Sequence, residues 1–325
     1  MEPSPFNSTT LAARARAIAV PALVCVLFLA VDWANRFPFA FPDLINYREG
    51  FQSGWYVFSI LNLDLLDLLL SEAGWVYGFD YLWQQTGNIF VAFAIVSATA
   101  VVLLVFYIYS RTRSLIACLF VFNPAFVHLT VEQLRSGLAS GLFYVAVTLR
   151  SELIRAGLFV AAISLHTSFL LFTAFYYAFR VAQRQGLIAR LNGNYFLSMI
   201  ALFVAAAVIS FFRDAVLEGI GDERAYIDID QTSGILLALG WGTFLLSYFF
   251  LRKDRQAPFE LYFFALNVFL LVSSIFTQSY GSRFVAIGVP ALAALSVHMT
   301  SRARTLFYLH YFAFSLVYFW IWSSQ

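Results

Sequence analysis

The sequence is poor in cysteine and in histidine. Its two cysteines, Cys25 and Cys118, both lie within apolar stretches. Two such cysteines cannot form a disulfide framework, and they do not have the spacing of a metal-binding motif. The four histidines are scattered along the chain, so a zinc site built from them is not expected. We therefore predict neither a metal ion nor another cofactor.

The chain contains few charged residues. Charged residues make up 12% of the sequence, whereas a soluble domain carries about 25% because its surface must be wetted. The hydrophobic fraction is 61% and the mean hydropathy is +0.78. No basic run with interleaved aromatic residues is present, so a nucleic-acid partner is not expected. These properties predict an all-α polytopic membrane protein in which lipid replaces water around the helices.

The arginines predict how the chain threads the bilayer. Arg14 and Arg16 precede the first apolar run, 17–34, and place the N-terminus in the cytoplasm. This run is interpreted as a transmembrane helix that is not cleaved off as a signal peptide, because the residues after it lack a small-residue cleavage site. In all, about ten segments are predicted to thread the membrane, one of them at 114–131. The later arginines then alternate sides correctly, and the C-terminus is external.

The segment 156–180 disturbs this alternation. Arg155 precedes it and Arg180 ends it, and both flanks have the basic character of cytoplasmic loops. Two half-length helices that meet at His166-Thr167-Ser168 would restore the alternation. Backbone that re-enters a membrane is tolerated only where it is buried in protein or lines a polar cavity. We predict a re-entrant hairpin at a functional site, with a single helix of unusual charge distribution as the alternative.

Two long segments are predicted on the external side, 35–87 and 213–233, within a single membrane domain, 1–325. In the first, Asp64 and Asp67 lie three residues apart in a leucine-rich run. This spacing places both carboxylates on one helix face, which is typical of a helix in the membrane interface.

Two arginines on the predicted external side lie within or beside apolar spans, Arg135 and Arg283. Ionisable groups at membrane depth are costly, and they usually line cavities or pair with each other. A guanidinium group also matches phosphate oxygens in a bidentate manner. We predict that the two arginines approach each other in the outer half of the membrane and bind an anion. Pairing with a carboxylate such as Glu132, or snorkelling to the interface, is the alternative.

Several side chains could accept a proton. His166 lies in the middle of the predicted hairpin, and an imidazole titrates near neutrality. Asp43, Glu72 and Glu132 are external carboxylates that could act as a base or bind sugar hydroxyls. His128, one turn before Glu132, is a weaker candidate. The alternatives are a structural histidine and solvated carboxylates.

Five short motifs occur in a fixed order along residues 40–290. The motifs are Pro42-Asp43-x-x-x-Tyr47, Ser71-Glu72-Ala73-Gly74-Trp75, Leu134-Arg135-Ser136-Gly137-Leu138-Ala139, Leu165-His166-Thr167-Ser168-Phe169 and Ser282-Arg283. Together they resemble the EpsG family of Wzy-like polysaccharide polymerases, although Ala73 stands where that family has proline and Ser136 where it usually has glutamine.

The resemblance implies a GT-C-like fold and a metal-independent, inverting glycosyltransferase. Such an enzyme would join oligosaccharide repeat units carried on polyprenyl diphosphate at the external, periplasmic face of a bacterial inner membrane. Membrane lipid and other polysaccharide-assembly proteins, such as a flippase and a chain-length regulator, are the expected partners. The catalytic candidates are His166, Glu132 and Glu72. The substrate-binding candidates are Arg135, Arg283, Asp43, Tyr47, Arg48, Arg224 and Tyr280.

A transporter or flippase for a lipid-linked or anionic solute is the alternative function. Broken helices and buried arginines fit it equally well. However, the two halves of the sequence show no inverted repeat, and the polar groups gather on the external side instead of the midplane. A non-catalytic scaffold would leave the arginines and histidine within the membrane unexplained.

Overall fold

A computed structural model describes residues 11–33, 42–54, 56, 72–188, 195–219, 234–253, 258–277 and 281–323. Over these ranges the regular structure is helical, apart from one isolated bridge between Arg252 and Met299. The predicted all-α class is therefore confirmed. The predicted interfacial helix with Asp64 and Asp67 lies outside the described residues.

The chain divides into two compact units, Met1–Ala178 with Ile321–Gln325, and Phe179–Trp320. The single domain spanning 1–325 stays a prediction. Over the described residues there are fourteen helices, in chain order α1 (Leu11–Leu29), α2 (Pro42–Gln52), α3 (Ala73–Thr86), α4 (Ile89–Thr112), α5 (Leu115–Cys118), α6 (Pro124–Val127), α7 (Leu134–Thr148), α8 (Glu152–Leu165), α9 (Phe169–Arg184), α10 (Tyr195–Gly219), α11 (Gly234–Leu251), α12 (Phe259–Thr277), α13 (Gly281–Leu295) and α14 (Ser301–Ser323).

Three helices among the described residues are long and apolar enough to cross a membrane: Ile89–Thr112, Phe259–Phe276 and Ser301–Ser323. A bent helix pair raises this number to four if it is one span. Together with the composition, these helices identify an integral membrane protein. The count of about ten segments and the GT-C-like architecture stay predictions, because the other apolar helices of the described chain are shorter.

The span predicted at 114–131 is broken. Leu115–Val121 and Pro124–Glu132 meet at a bend of 65°. Pro124 has no N–H group to donate to the preceding turn, so the first helix ends before it. The Asn123 side chain then starts a new helix by accepting a hydrogen bond from the Ala125 N–H at 2.9 Å.

The chain reverses direction at Gln133. A π-helical segment, His128–Glu132, leads into this residue, and the Gln133 N–H donates to the His128 carbonyl at 2.8 Å. Gly137 then packs directly on the segment before the turn. A Cβ atom at position 137 would lie 2.4 Å from the carbonyl oxygen of Leu129. Only glycine therefore allows the first turn of α7 to approach the π-helical backbone so closely.

A second reversal occurs between α8 and α9, where helical structure stops at His166-Thr167-Ser168. The Phe159 ring lies 5.2 Å from the Tyr176 ring, between centroids, and 5.7 Å from the Tyr177 ring. Residues well before and well after the break thus lie side by side, which requires the chain to fold back on itself. The location of this hairpin in a membrane stays a prediction.

Arg155 ties α8 to α7 at the end far from this break. Its Nε donates to the Ala146 carbonyl at 3.2 Å, and its Nη2 donates to the Leu149 carbonyl. Its Nη1 lies 2.5 Å from a Glu152 carboxylate oxygen, and the guanidinium covers the Tyr176 ring at 5.6 Å. These contacts add side-chain donors to carbonyl groups at the end of α7, where the Ala146 carbonyl also accepts from the Leu149 N–H at 3.1 Å.

In the second unit, α12 contacts α10 through a pair of serines and α13 through a glycine. Ser210 of α10 and Ser273 of α12 share a hydrogen bond of 2.7 Å between their hydroxyl groups. Gly288 of α13 lies against the Phe264 ring of α12, where a Cβ would meet it at 3.1 Å. Such small-residue contacts let membrane helices approach closely.

Replacement of Gly137 by alanine should destabilise the first unit by about 1–3 kcal/mol, because the new methyl group must displace backbone. The matched control is Gly157→Ala, since a Cβ there meets nothing within 4 Å. Thermal unfolding of the purified proteins in detergent measures both changes. Equal unfolding midpoints for the two variants would contradict the close contact at Gln133.

Candidate functional site

Glu72 begins α3 in an unusual backbone conformation. Its φ of 61° and ψ of 33° place it in the left-handed region, and its side chain does not cap its own helix. This region is unfavourable by about 1–2 kcal/mol for a residue with a Cβ. Such a conformation persists where the surroundings fix it, which is common at functional sites. The side chain of Glu72 shows what fixes it here.

The Glu72 carboxylate joins the two places where the chain reverses. Its Oε2 accepts a hydrogen bond from Nη1 of Arg135, in the first turn of α7. Its Oε1 lies 2.5 Å from Nδ1 of His166 and accepts from the Thr167 N–H at 3.2 Å and the Thr167 hydroxyl at 3.3 Å. Glu72 is only 4% exposed. This buried charge is therefore compensated by a guanidinium group and by donors from the α8–α9 break.

Arg135 is held from a second side by Tyr47 of α2. Its Nε donates to the Tyr47 hydroxyl at 3.1 Å, and its guanidinium lies 5.4 Å from the centre of the Tyr47 ring. The Tyr47 ring packs in turn against Trp75 and Phe93. Tyr47 and Glu72 use two of the N–H groups of Arg135, and the guanidinium fork has more donors than that. Arg135 can therefore bind an anion while it stays in place.

The contact with Glu72 fixes the orientation of the His166 ring. An ionised carboxylate only accepts hydrogen bonds, so the facing Nδ1 carries the proton. In a neutral ring Nε2 is then the basic nitrogen. A carboxylate plays this orienting part towards histidine in the catalytic triads of serine hydrolases. The arrangement can accept a proton from a hydroxyl group.

Direct packing of α3 on α8 keeps Glu72 near His166. A Cβ at Gly74 would lie 2.4 Å from the Ser164 hydroxyl oxygen and 3.0 Å from its carbonyl oxygen. Glycine at position 74 therefore lets the first turn of α3 contact the last turn of α8.

Glu132 belongs to a different pair. Its carboxylate Oε2 contacts Nδ1 of His128, four residues earlier in the π-helical segment. The His128 ring lies 4.8 Å from the Trp322 ring, between centroids. The sequence allowed an ion pair between Arg135 and Glu132, but the carboxylate that Arg135 contacts is that of Glu72.

The structure thus brings Tyr47, Glu72, Arg135 and His166 together. The other candidates are not part of this group. Asp43 is half-buried in the first turn of α2, and a guanidinium nitrogen of Arg48 lies 4.0 Å from a carboxylate oxygen of Glu49. Arg283 is half-buried in the second unit, and Arg224 and Tyr280 are outside the described residues. The approach of Arg283 to Arg135 stays a prediction. Within the described ranges no three His, Cys, Asp or Glu side chains cluster as metal ligands would.

Two members of the site were missed from the sequence, namely Thr167 and Gly74. Both stand within the motifs, beside His166 and Glu72. Their roles depend on contacts between residues 90 or more positions apart, with Thr167 touching Glu72 and Gly74 touching Ser164. Motif spacing alone carries no signal for such contacts.

The Glu72→Gln variant should be destabilised by about 3–5 kcal/mol, because it leaves the Arg135 charge buried without its partner. The matched control is Glu49→Gln, whose carboxylate is 68% exposed and pairs with Arg48 at 4.0 Å. An exposed pair of this kind contributes about 0–1 kcal/mol. Unfolding in detergent compares the two, and a Glu72→Gln protein as stable as Glu49→Gln would contradict the buried pair.

The site can now be compared with known proteins. Searches of curated proteins and of solved structures found no match. The model of the EpsG family matches residues 20–325, which is nearly the whole chain and includes every residue of the site. The chain therefore belongs to the EpsG family, a family of Wzy-like polysaccharide polymerases.

Proposed function

We propose that this protein is an inverting, metal-independent glycosyltransferase that polymerises oligosaccharide repeat units carried on polyprenyl diphosphate. Family membership supports polysaccharide polymerisation in general. One observation carries the finer proposal: a single carboxylate, Glu72, orients an imidazole and also holds a guanidinium group. A base for a hydroxyl nucleophile and a cation for a phosphate leaving group thus lie in one site.

In the proposed reaction, His166 acts as the base. The acceptor hydroxyl gives its proton to Nε2 while its oxygen bonds to the anomeric carbon of the donor sugar. The bond from that carbon to the diphosphate oxygen breaks, and the diphosphate leaves with the electron pair. Glu72 stabilises the imidazolium that forms. General base catalysis of this kind contributes about 10²–10⁴-fold to the rate.

Glu72 itself is less suited to be the base. Both of its carboxylate oxygens already accept hydrogen bonds from Arg135, His166 and Thr167. Donors of this kind favour the ionised form of a carboxyl group and make it a weaker base. We therefore assign Glu72 the part of orienting His166.

Arg135 is proposed to hold the departing diphosphate, because a fixed guanidinium stabilises charge that develops in the transition state. The pair with Glu72 makes the net charge of the two groups zero, so a second cation is needed for a diphosphate. We propose Arg283 for this part, because the resemblance to the EpsG family includes its motif Ser282-Arg283.

Helix lengths support access to this site from the outer side of the membrane. At about 1.5 Å per residue, α7 and α8 are about 21–22 Å long, shorter than the roughly 30 Å of a hydrocarbon core. If the loop at Arg150 is cytoplasmic, as the charge pattern indicates, Arg135 and His166 lie below the outer surface at similar depth. We propose a bacterial inner-membrane protein with a cytoplasmic N-terminus and a site that faces the periplasm.

The test uses purified protein with lipid-linked oligosaccharide from cells that lack this gene. Lengthened chains should form in the presence of a metal chelator, and His166→Gln should lower kcat by about 10²–10⁴-fold. The matched control is His298→Gln in the second unit, which should keep normal activity. Arg135→Lys should recover little activity, because an ammonium group cannot form the bidentate contact.

The pH dependence distinguishes the possible bases. As the pH is lowered, activity should be lost at a higher pH if a histidine is the base than if a carboxylate is, because an imidazole takes up its proton at a higher pH than a carboxylate does. Normal turnover of the His166→Gln variant together with loss of activity in Glu132→Gln would assign the role of base to Glu132 instead of His166. Passage of lipid-linked oligosaccharide across vesicles without lengthening would favour the transporter or flippase function.

The proposed orientation is tested by single cysteines introduced after Cys25 and Cys118 are replaced. A membrane-impermeant thiol reagent added from outside should label Asp222→Cys and should miss Gln185→Cys, one residue beyond Arg184. Labelling after membrane permeabilisation is the control that Gln185→Cys is reactive. Labelling of Gln185→Cys from outside would overturn the proposed hairpin topology.

A further inference from the structure

A second polar cluster adjoins the Glu72 site and takes no part in the proposed reaction. It consists of His128, Glu132 and Gln133, at the π-helical turn that leads into α7, with Trp322 against the His128 ring. Short π-helical segments are rare and occur frequently at functional sites. We name these four residues the turn cluster.

The turn cluster contains two hydrogen-bond acceptors besides the Glu132 carboxylate: Nε2 of His128 and Oε1 of Gln133. Glu132 faces Nδ1 of His128, so that nitrogen carries the proton and Nε2 is the accepting nitrogen. Gln133 is only 7% exposed, and among the described residues its Oε1 atom has no hydrogen-bond partner. A buried polar atom left in this way calls for an explanation, and a ligand that donates a hydrogen bond supplies one.

The charge of the cluster selects among ligands. Glu132 contributes a carboxylate and the cluster contains neither arginine nor lysine, so it offers no fixed cation to a phosphate group. The His128 side chain is partly open to solvent, with 27% of its surface exposed. A neutral molecule with several hydroxyl donors matches an amide oxygen and an imidazole nitrogen held by a buried carboxylate. A carbohydrate is such a molecule.

The distance along the chain places this carbohydrate next to the anion site. Gln133 is two residues from Arg135, so their Cα atoms are at most about 7.6 Å apart. That separation is the length of one or two sugar rings. A sugar on the turn cluster therefore lies beside a diphosphate on Arg135 without competing for the same groups.

We propose that the turn cluster binds the sugar hydroxyls of the acceptor and thereby sets which hydroxyl reaches His166. This inference rests on the proposed polymerase function and adds the acceptor subsite to it. Gln133 and His128 are then specificity-determining residues, and Glu132 positions the His128 ring.

The kinetic test uses a radiolabelled lipid-linked chain as donor and a varied concentration of the single-repeat-unit lipid as acceptor. The Gln133→Leu variant should raise the KM for the acceptor about tenfold or more, since a hydroxyl loses its partner in a buried place. Slow hydrolysis of the donor in the absence of acceptor should be unchanged. The matched control is Gln84→Leu, where the amide is exposed and bonded to Asp80.

A labelling test needs no turnover. Diethyl pyrocarbonate modifies accessible imidazoles, and mass spectrometry reports each histidine separately. The single-repeat-unit lipid should slow modification of His128 several-fold and leave His298 unaffected. This measurement uses the unaltered protein, so it decides the matter even if Gln133→Leu fails to fold.

The outcomes separate the two proposals. Normal chain lengthening with an unprotected His128 and an unchanged acceptor KM in Gln133→Leu would overturn the acceptor subsite alone. Protection of His128 in a protein that lengthens no chains would support the subsite and overturn the polymerase mechanism. The absence of both lengthening and protection would overturn both.

Discussion

A carboxylate that is removed from water must be compensated, and the arrangement of the first unit follows from how Glu72 is compensated. Arg135 supplies the opposite charge, while His166 and Thr167 supply neutral donors. These partners lie in the first turn of α7 and in the break between α8 and α9. The Thr167 N–H is available to Glu72 because helical structure stops there, so the helix ladder does not use it. The turn before α7 and the break after α8 thus bring the compensating groups to one buried charge.

The same requirement explains the small residues around the site. Glu72 can meet both partners only if α3 lies directly on α8 and if α7 lies directly on the π-helical turn. Gly74 and Gly137 permit these two approaches, since each faces an oxygen atom at 2.4 Å from a would-be Cβ. Arg155 then fixes α8 relative to α7 at the opposite end. The positions of the reacting groups are therefore set by backbone contacts as well as by their own hydrogen bonds.

Part of the site could be predicted from the sequence, because charged and polar residues stand out within the apolar segments of a membrane protein. Arginine in an external apolar segment and a polar triplet at mid-segment both contradict their surroundings, and they pointed to Arg135 and His166. The contacts of Glu72 with Arg135 and His166 could not be predicted, since Glu72 precedes these residues by 63 and 94 positions. Glu132 was the nearer carboxylate in sequence, yet its contact is with His128. The break at Asn123-Pro124 did carry a local signal, because this dipeptide marks turns, but the apolar run around it predicted an unbroken span.

The pairing of Glu72 with Arg135 also constrains how the protein is made. Glu72 leaves the ribosome first, and α4 must be in place before Arg135 can reach it. Until then an arginine in an apolar segment carries a penalty of roughly 2.5–3.5 kcal/mol for insertion at the centre of a bilayer. Folding of α3 and α4 against α7 pairs the two charges and completes the site in the same step. A chain in which these helices fail to meet therefore keeps both charges unpaired and has no assembled site.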